Sequence, residues 1–262
     1  MLFKIGDYVT RESYNHDTIF KIIDIDNDIA YLKGVNIRLY ADSDIEDLRK
    51  VEKSKEILGE DKILVERMQE MIRLNRDEYF YLPGKILHID GDHEYLERCM
   101  KFYKEMSVRA FGLNMKEEII KEQLESYLEK FKPDVLVITG HDAYYQKERS
   151  EKKLENYKNT KNFIDAIKIA RGYEKSQDKL IIIAGACQSN YEELIKAGAN
   201  FASSPKRINI HALDPAIIAS SVSLSDRNKP IDLINILKKT KYGSDGMGGI
   251  ITNGCMYVGY PR

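Results

Sequence analysis

Two apolar runs decide how this chain is read: VLVITGHDAY (Val135 to Tyr144) and KLIIIAGACQS (Lys179 to Ser189). Each carries four or five β-prone apolar residues, then a small Gly or Ala hinge, then His141 or Cys187. Short apolar runs bounded by turn residues suit buried strands of a parallel sheet. Groups just past the carboxyl ends of such strands line the crevice where α/β proteins bind ligands. If the two strands are neighbours, an imidazole and a thiol meet across that crevice, as a cysteine nucleophile meets its base.

The residues after Cys187 extend the reading. Ser189-Asn190-Tyr191-Glu192 has the S-x-x-E form of a capping box, which predicts a helix starting at Ser189. Leu194 and Ile195 give it an apolar face, and Gly198 can close it with a left-handed cap. Cys187 would then sit at a helix N-terminus, where free amides and the dipole favour a thiolate and can hold an oxyanion. The plainer alternative is a small buried thiol at a strand end.

The same alternation of strand and helix runs from about Tyr79 to the end. KILHID, VRAFGL, VLVITG, LIIIAGA and NFASS read as strands. Between them lie apolar-periodic helices over Glu94 to Tyr103, around Ile120, Leu124, Tyr127, Leu128 and Phe131, and around Phe163, Ile167 and Ala170. Pro215 opens a further helix, and CMYVGY closes the chain as a strand. This predicts an α/β fold with a mainly parallel sheet flanked by helices over residues 79–262. Residues 1–48 differ: GDYVTR, TIFKIIDI, IAYLKG and NIRLYA are short strands separated by turns, as in a small SH3-like β-barrel. Residues 49–78 are dense in mixed charge and read as an exposed helical linker.

Bulk properties exclude several classes. The chain has 262 residues, 43% of them hydrophobic, and a formal charge of −1. That is enough apolar material for a proper core, without a global pull toward nucleic acid or anionic lipid. The start, MLFKIGDYV, has no secretory apolar stretch, and no run is long enough to cross a bilayer. Three cysteines do not make a fully paired disulfide framework, which points to a reducing compartment. Cys99 lies on the apolar face of a helix and Cys255 in a terminal strand, and neither precedes a capping box.

TGHDAY, AGACQSNYEELIKAGANFASSP and RINIHALDP, with the N-terminal IGDYV, resemble the YabG family of sporulation proteases over nearly the whole chain. More distantly, a strand ending in His and a later one ending in Ala-Cys are similar to the caspase-like peptidases, among them gingipains, clostripain, legumain and separase. The resemblance implies His141 and Cys187 as a catalytic dyad. It implies a cysteine endopeptidase of the mother-cell cytoplasm that cleaves spore coat and germination proteins after arginine, with no metal or organic cofactor. Those proteins would be its partners, with neither nucleic acid nor membrane among them. In the caspase-like pattern Gly follows the His, whereas here Asp142 follows and Gly140 precedes. The oxyanion hole is therefore assigned to the Cys187 amide and one amide of the His141 loop, and Asp142 either orients His141 or binds substrate.

Arginine preference requires a buried carboxylate to pair with guanidinium. In arginine-specific caspase-like enzymes an acid near the end of the first strand does this. The matching loop here, HIDGDHEY, offers Asp90 and Asp92, which otherwise make a polar turn and helix cap. The loop also feeds a rival reading, in which His88, Asp90, Asp92 and His141 hold a metal for a hydrolase. A third is a non-catalytic coat-binding scaffold. His211 is read as structural, and Ser203 and Ser204 either touch substrate or hold a turn. The basic linker is a candidate for self-cleavage.

Overall fold

The computed structural model describes residues 3–51, 55–69, 79–145 and 154–260. Five strands form the N-terminal sheet: β1 (Tyr8–Arg11), β2 (Phe20–Asp26), β3 (Ile29–Gly34), β4 (Tyr40–Asp44) and β5 (Leu48–Lys50). They run antiparallel in the order β4-β3-β2-β1-β5. Val9, Phe20, Ile22, Ala30 and Leu32 point inward and are fully buried. Two boundaries depart from the sequence reading. β5 starts at Leu48, its one buried residue, and runs on into the charged stretch. The expected strand NIRLYA starts late, at Tyr40, because residues 36–38 leave the sheet and pair elsewhere. Ile37 bridges His211 in antiparallel sense instead.

Helix α1 (Lys55–Gln69) follows. It is not a wholly solvated linker: Leu64 and Met68 are buried, and Asp61 receives Arg98 at 2.6 Å. Residues 52–54 and 70–78, part of the proposed self-cleavage region, lie outside the described residues.

The second sheet contains β7 (Ile86–Asp90), β8 (Ala110–Asn114), β9 (Val135–Thr139), β10 (Ile181–Ala184), β11 (Phe201–Ser203) and β12 (Met247–Gly249). Its order is β12-β11-β10-β9-β7-β8, parallel throughout except for the antiparallel edge strand β12. A short pair, β6 (Phe80–Leu82) with β13 (Tyr257–Gly259), lies apart.

The apolar runs are continuous because both faces of the sheet are covered. Val135, Val137, Ile181 and Ile183 pack with α2 (His93–Glu105) and α6 (Asp214–Ser223), in a core shared with the N-terminal sheet. Leu136, Ile138, Ile182 and Ala184 face α3 (Glu117–Phe131), α4 (Thr160–Tyr173) and α5 (Tyr191–Ala197). No helix among the described residues is long and apolar enough to cross a membrane.

The strand order places a topological switch between β7 and β9, since β8 continues on one side and β10 on the other. The crevice beyond the carboxyl ends at such a point is where doubly wound sheets bind ligands. Asp90 ends β7, Asp92 follows it, and His141 lies just past β9.

Candidate active site

Register sets the two reactive side chains. Ile138 of β9 pairs with Ala184 of β10, so His141 and Cys187 each lie three residues past paired positions. Hydrogen-bonded neighbours in a sheet are about 4.8 Å apart, which brings the two loops together. The Tyr95 ring, on α2, stands 5.5 Å from the His141 ring.

His141 is buried and held from several sides. Its Nε2 meets Asp92 Oδ2 at 3.0 Å, and Tyr40 stacks on its ring at 3.8 Å. Its Nδ1 is buried without a hydrogen-bond partner among the described residues. Burial pushes the Asp92 carboxyl up, but the bonds from His141 and Lys33 outweigh it and hold the group well below the usual carboxylate range. An ionised Asp92 can only accept, so Nε2 donates to it and the ring is held in orientation. Asp92 also caps α2, accepting the Tyr95 amide at 3.1 Å.

Glu117 was not singled out from the sequence. Its Oε1 accepts the His141 amide at 2.7 Å, and burial raises its pKa. A Cβ on Gly140 would run into this carboxylate, so any side chain there would oblige Glu117 to shift from the His141 amide. The signal available was weak: an acid in the first turn of α3, with no local mark of its partner.

Cys187 departs from the expected thiolate setting. The helix cap is Asn190, whose Oδ1 accepts the Glu193 amide, not Ser189. Ser189 instead accepts the Ala186 amide at 3.0 Å and donates to Asp142 at 2.8 Å. Cys187 lies three residues before the cap in a turn and is fully buried, with Ile210 N–H donating to its Sγ at 3.3 Å. Burial pushes the thiol up to about 12. The expected left-handed cap at Gly198 is present, at φ +115°.

The remaining residues sort by their partners. Asp142 is 3% exposed and accepts from Asn159 N, Ala143 N, Thr160 Oγ1 and Ser189 Oγ, so it ties the His141 loop to the Cys187 loop. Ser203 donates to Ala186 O at 2.7 Å and Ser204 accepts the Gln188 amide at 3.0 Å, which makes both supports of the Cys187 turn.

Asp90 is wholly buried and pairs with Arg38 at 2.6 Å; Arg38 and His88 outweigh its burial and hold it below the usual range. His88 is committed to Tyr103 Oη at 2.9 Å and Thr139 Oγ1 at 2.8 Å. No group of three or more His, Cys, Asp or Glu among the described residues is arranged to hold a metal ion. His93 faces outward toward Glu97, and His211 takes part in the turn that opens α6.

Comparison with known proteins gives the chain a family. The chain matches the model of a family described as "YabG peptidase U57" over residues 4–261. It is 41% identical over 286 positions to the "Sporulation-specific protease YabG" of Bacillus subtilis (strain 168), covering 100% of this chain and 99% of that relative. No solved structure matches it. Matched over residues 4–261 and 41% identical to a relative along its whole length, the chain belongs to the YabG peptidase U57 family.

Proposed function

We propose that this member of the family is a cysteine endopeptidase of sporulation that works through Cys187 and His141 and cuts after arginine. One observation carries the reading: His141 and Cys187 occupy matching places past neighbouring strands, with His141 Nε2 held by Asp92 and Nδ1 without a partner among the described residues. The Cys187 thiol gives its proton to His141 Nδ1 as sulfur attacks the scissile carbonyl. The amides of Cys187 and Asp142 then hold the oxyanion; those of His141 and Ala143 are already bound to side-chain oxygens. Collapse breaks the C–N bond, His141 returns the proton to the leaving amine, and water hydrolyses the acyl-enzyme.

Asp92 is a positioning residue here, and Asp142 holds the two loops in register. Asp90, buried and ionised beside the Arg38 guanidinium, is the pocket carboxylate for arginine. The sheet serves as a caspase-like scaffold and β1–β5 as an SH3-like module that docks substrate. The substrates in this reading are spore coat and germination proteins met in the mother cell, as the resemblance to the YabG family implies; the relative's name adds only that it is a sporulation-specific protease.

The test is cleavage of an arginine-containing peptide library by the wild type and by Cys187→Ala, read by mass spectrometry. Cuts after Arg that vanish in the variant are expected. Equal cutting by both proteins would remove Cys187 from the mechanism.

A further inference from the structure

Among the described residues, Arg38 is the one fully buried arginine. It lies on the loop between β3 and β4, is 0% exposed, and donates from Nη1 to Asp90 at 2.6 Å. Its Nη2 and Nε donate to the Ala212 carbonyl at 2.9 and 3.2 Å, and the guanidinium lies 5.0 Å from the Tyr95 ring centre. The main chain on its N-terminal side is equally engaged. Arg38 N donates to Ile210 O at 3.2 Å and Ala212 N donates to Asn36 O at 2.9 Å. That antiparallel pairing is how an extended peptide adds to a strand edge. Ile210, which pairs with this segment, is also the residue whose amide touches Cys187 Sγ at 3.3 Å. On its C-terminal side, Tyr40 covers His141.

We propose that residues 36–40 are an internal occupant of the substrate cleft: Arg38 fills the arginine pocket, and protein substrates enter only after this segment withdraws. The inference rests on the cysteine-peptidase reading above and adds its regulation. The segment blocks the cleft without presenting a bond in productive form, because Leu39 N turns back to Ile37 O at 2.9 Å, a tight turn centred on Arg38. A fully buried Cys187 is the state expected of an occupied site. A merely structural staple has little reason to be built this way. Burying an Arg–Asp pair costs desolvation that apolar packing would avoid. As a tethered competitor, by contrast, the segment acts at an effective concentration of order mM, above that of most protein substrates.

The experiment uses the full chain and two probes, a fluorogenic peptide with arginine before the scissile bond and a peptidyl-arginine acyloxymethyl ketone that alkylates Cys187. Arg38→Ala should raise both hydrolysis and labelling by about tenfold or more if the tethered competitor is lost. Folded Arg38→Ala no faster than wild type, while wild type still cuts through Cys187, would overturn the internal occupant and leave the peptidase reading intact. Hydrolysis surviving in Arg38→Ala/Cys187→Ala would instead sink the peptidase reading.

A second variant covers the case in which Arg38→Ala does not fold. Ile37 and His211 face each other as a non-hydrogen-bonded antiparallel pair, whose Cα atoms lie about 4.5 Å apart, within disulfide range. Ile37→Cys/His211→Cys should be silent when oxidised and recover on reduction, beside wild type treated identically. Equal activity in both redox states would show that the segment need not move, and the proposal would fall.

Discussion

At the scale of single residues, Asp92 joins the two halves of the site. One oxygen holds His141 Nε2, while the carboxylate also receives Lys33 Nζ at 2.7 Å from the N-terminal sheet. Asp92→Asn keeps the helix cap but removes the charge that fixes the imidazole tautomer. We expect peptide hydrolysis to fall by about 10²–10⁴-fold, the usual worth of general acid–base work, with the pH profile shifted and the fold intact by circular dichroism. The thiols give a second prediction. Burial holds Cys99, Cys187 and Cys255 each at about 12. Only the thiolate reacts, so at pH 8 the native protein should take up iodoacetamide about a thousandfold more slowly than a free cysteine. Unfolding in denaturant should release all three. Fast labelling of native Cys187 would mean that the site is open in solution.

At the scale of elements, the Cys187 turn depends on backbone that few residues adopt. Gly185 has φ +107°, and a Cβ there would meet Ser203 Oγ and approach Leu194. Gly185→Ala should cost about 1–3 kcal/mol. At about 2–4 °C per kcal/mol for a chain of this size, a thermal melt would register the loss. A melt unchanged within error would show that the turn relaxes freely. The elements differed in how plainly the sequence announced them. Strands β9 and β10 were legible because burial on both faces demands unbroken apolar runs. NIRLYA was not, because local alternation cannot reveal that Arg38 finds its partner, Asp90, 52 residues further on.

At the scale of the whole molecule, charge pairs join the N-terminal sheet and α1 to the α/β body. Asp90 with Arg38 and Asp92 with Lys33 cross the first boundary, and Glu60 with Lys241 the second. Asp90 and Asp92 have depressed carboxyl pKa values. Bonds from His211 and Lys241, against partial burial, lower Glu60 to about 2. A depressed carboxylate stabilises the fold fully above its unfolded pKa, near 4, and the gain is lost as pH falls toward the folded value. The melting temperature should therefore be insensitive to these groups above about pH 5 and fall steeply between about pH 4 and 2. A melting curve that stays flat to pH 2 would contradict the pairing. Asp90→Asn should lower stability even at neutral pH by about 3–5 kcal/mol, since it strands the Arg38 charge in the interior.

The sequence by itself determined the parallel α/β body and the two strands that lead into the turns carrying His141 and Cys187. It also held the family, legible in motifs such as AGACQSNYEELIKAGANFASSP. Periodicity, turn residues and contiguous motifs are local, and a chain records local constraints directly. Tertiary structure alone decided that Asp92 orients His141, that Glu117 holds its amide, that Ser189 serves Asp142 and not a helix cap, and that Arg38 pairs with Asp90. Each of these is a polar contact between residues far apart in sequence. Such contacts exist because a buried charge or amide must find a partner, and which partner it finds depends on where the fold brings the chain back on itself.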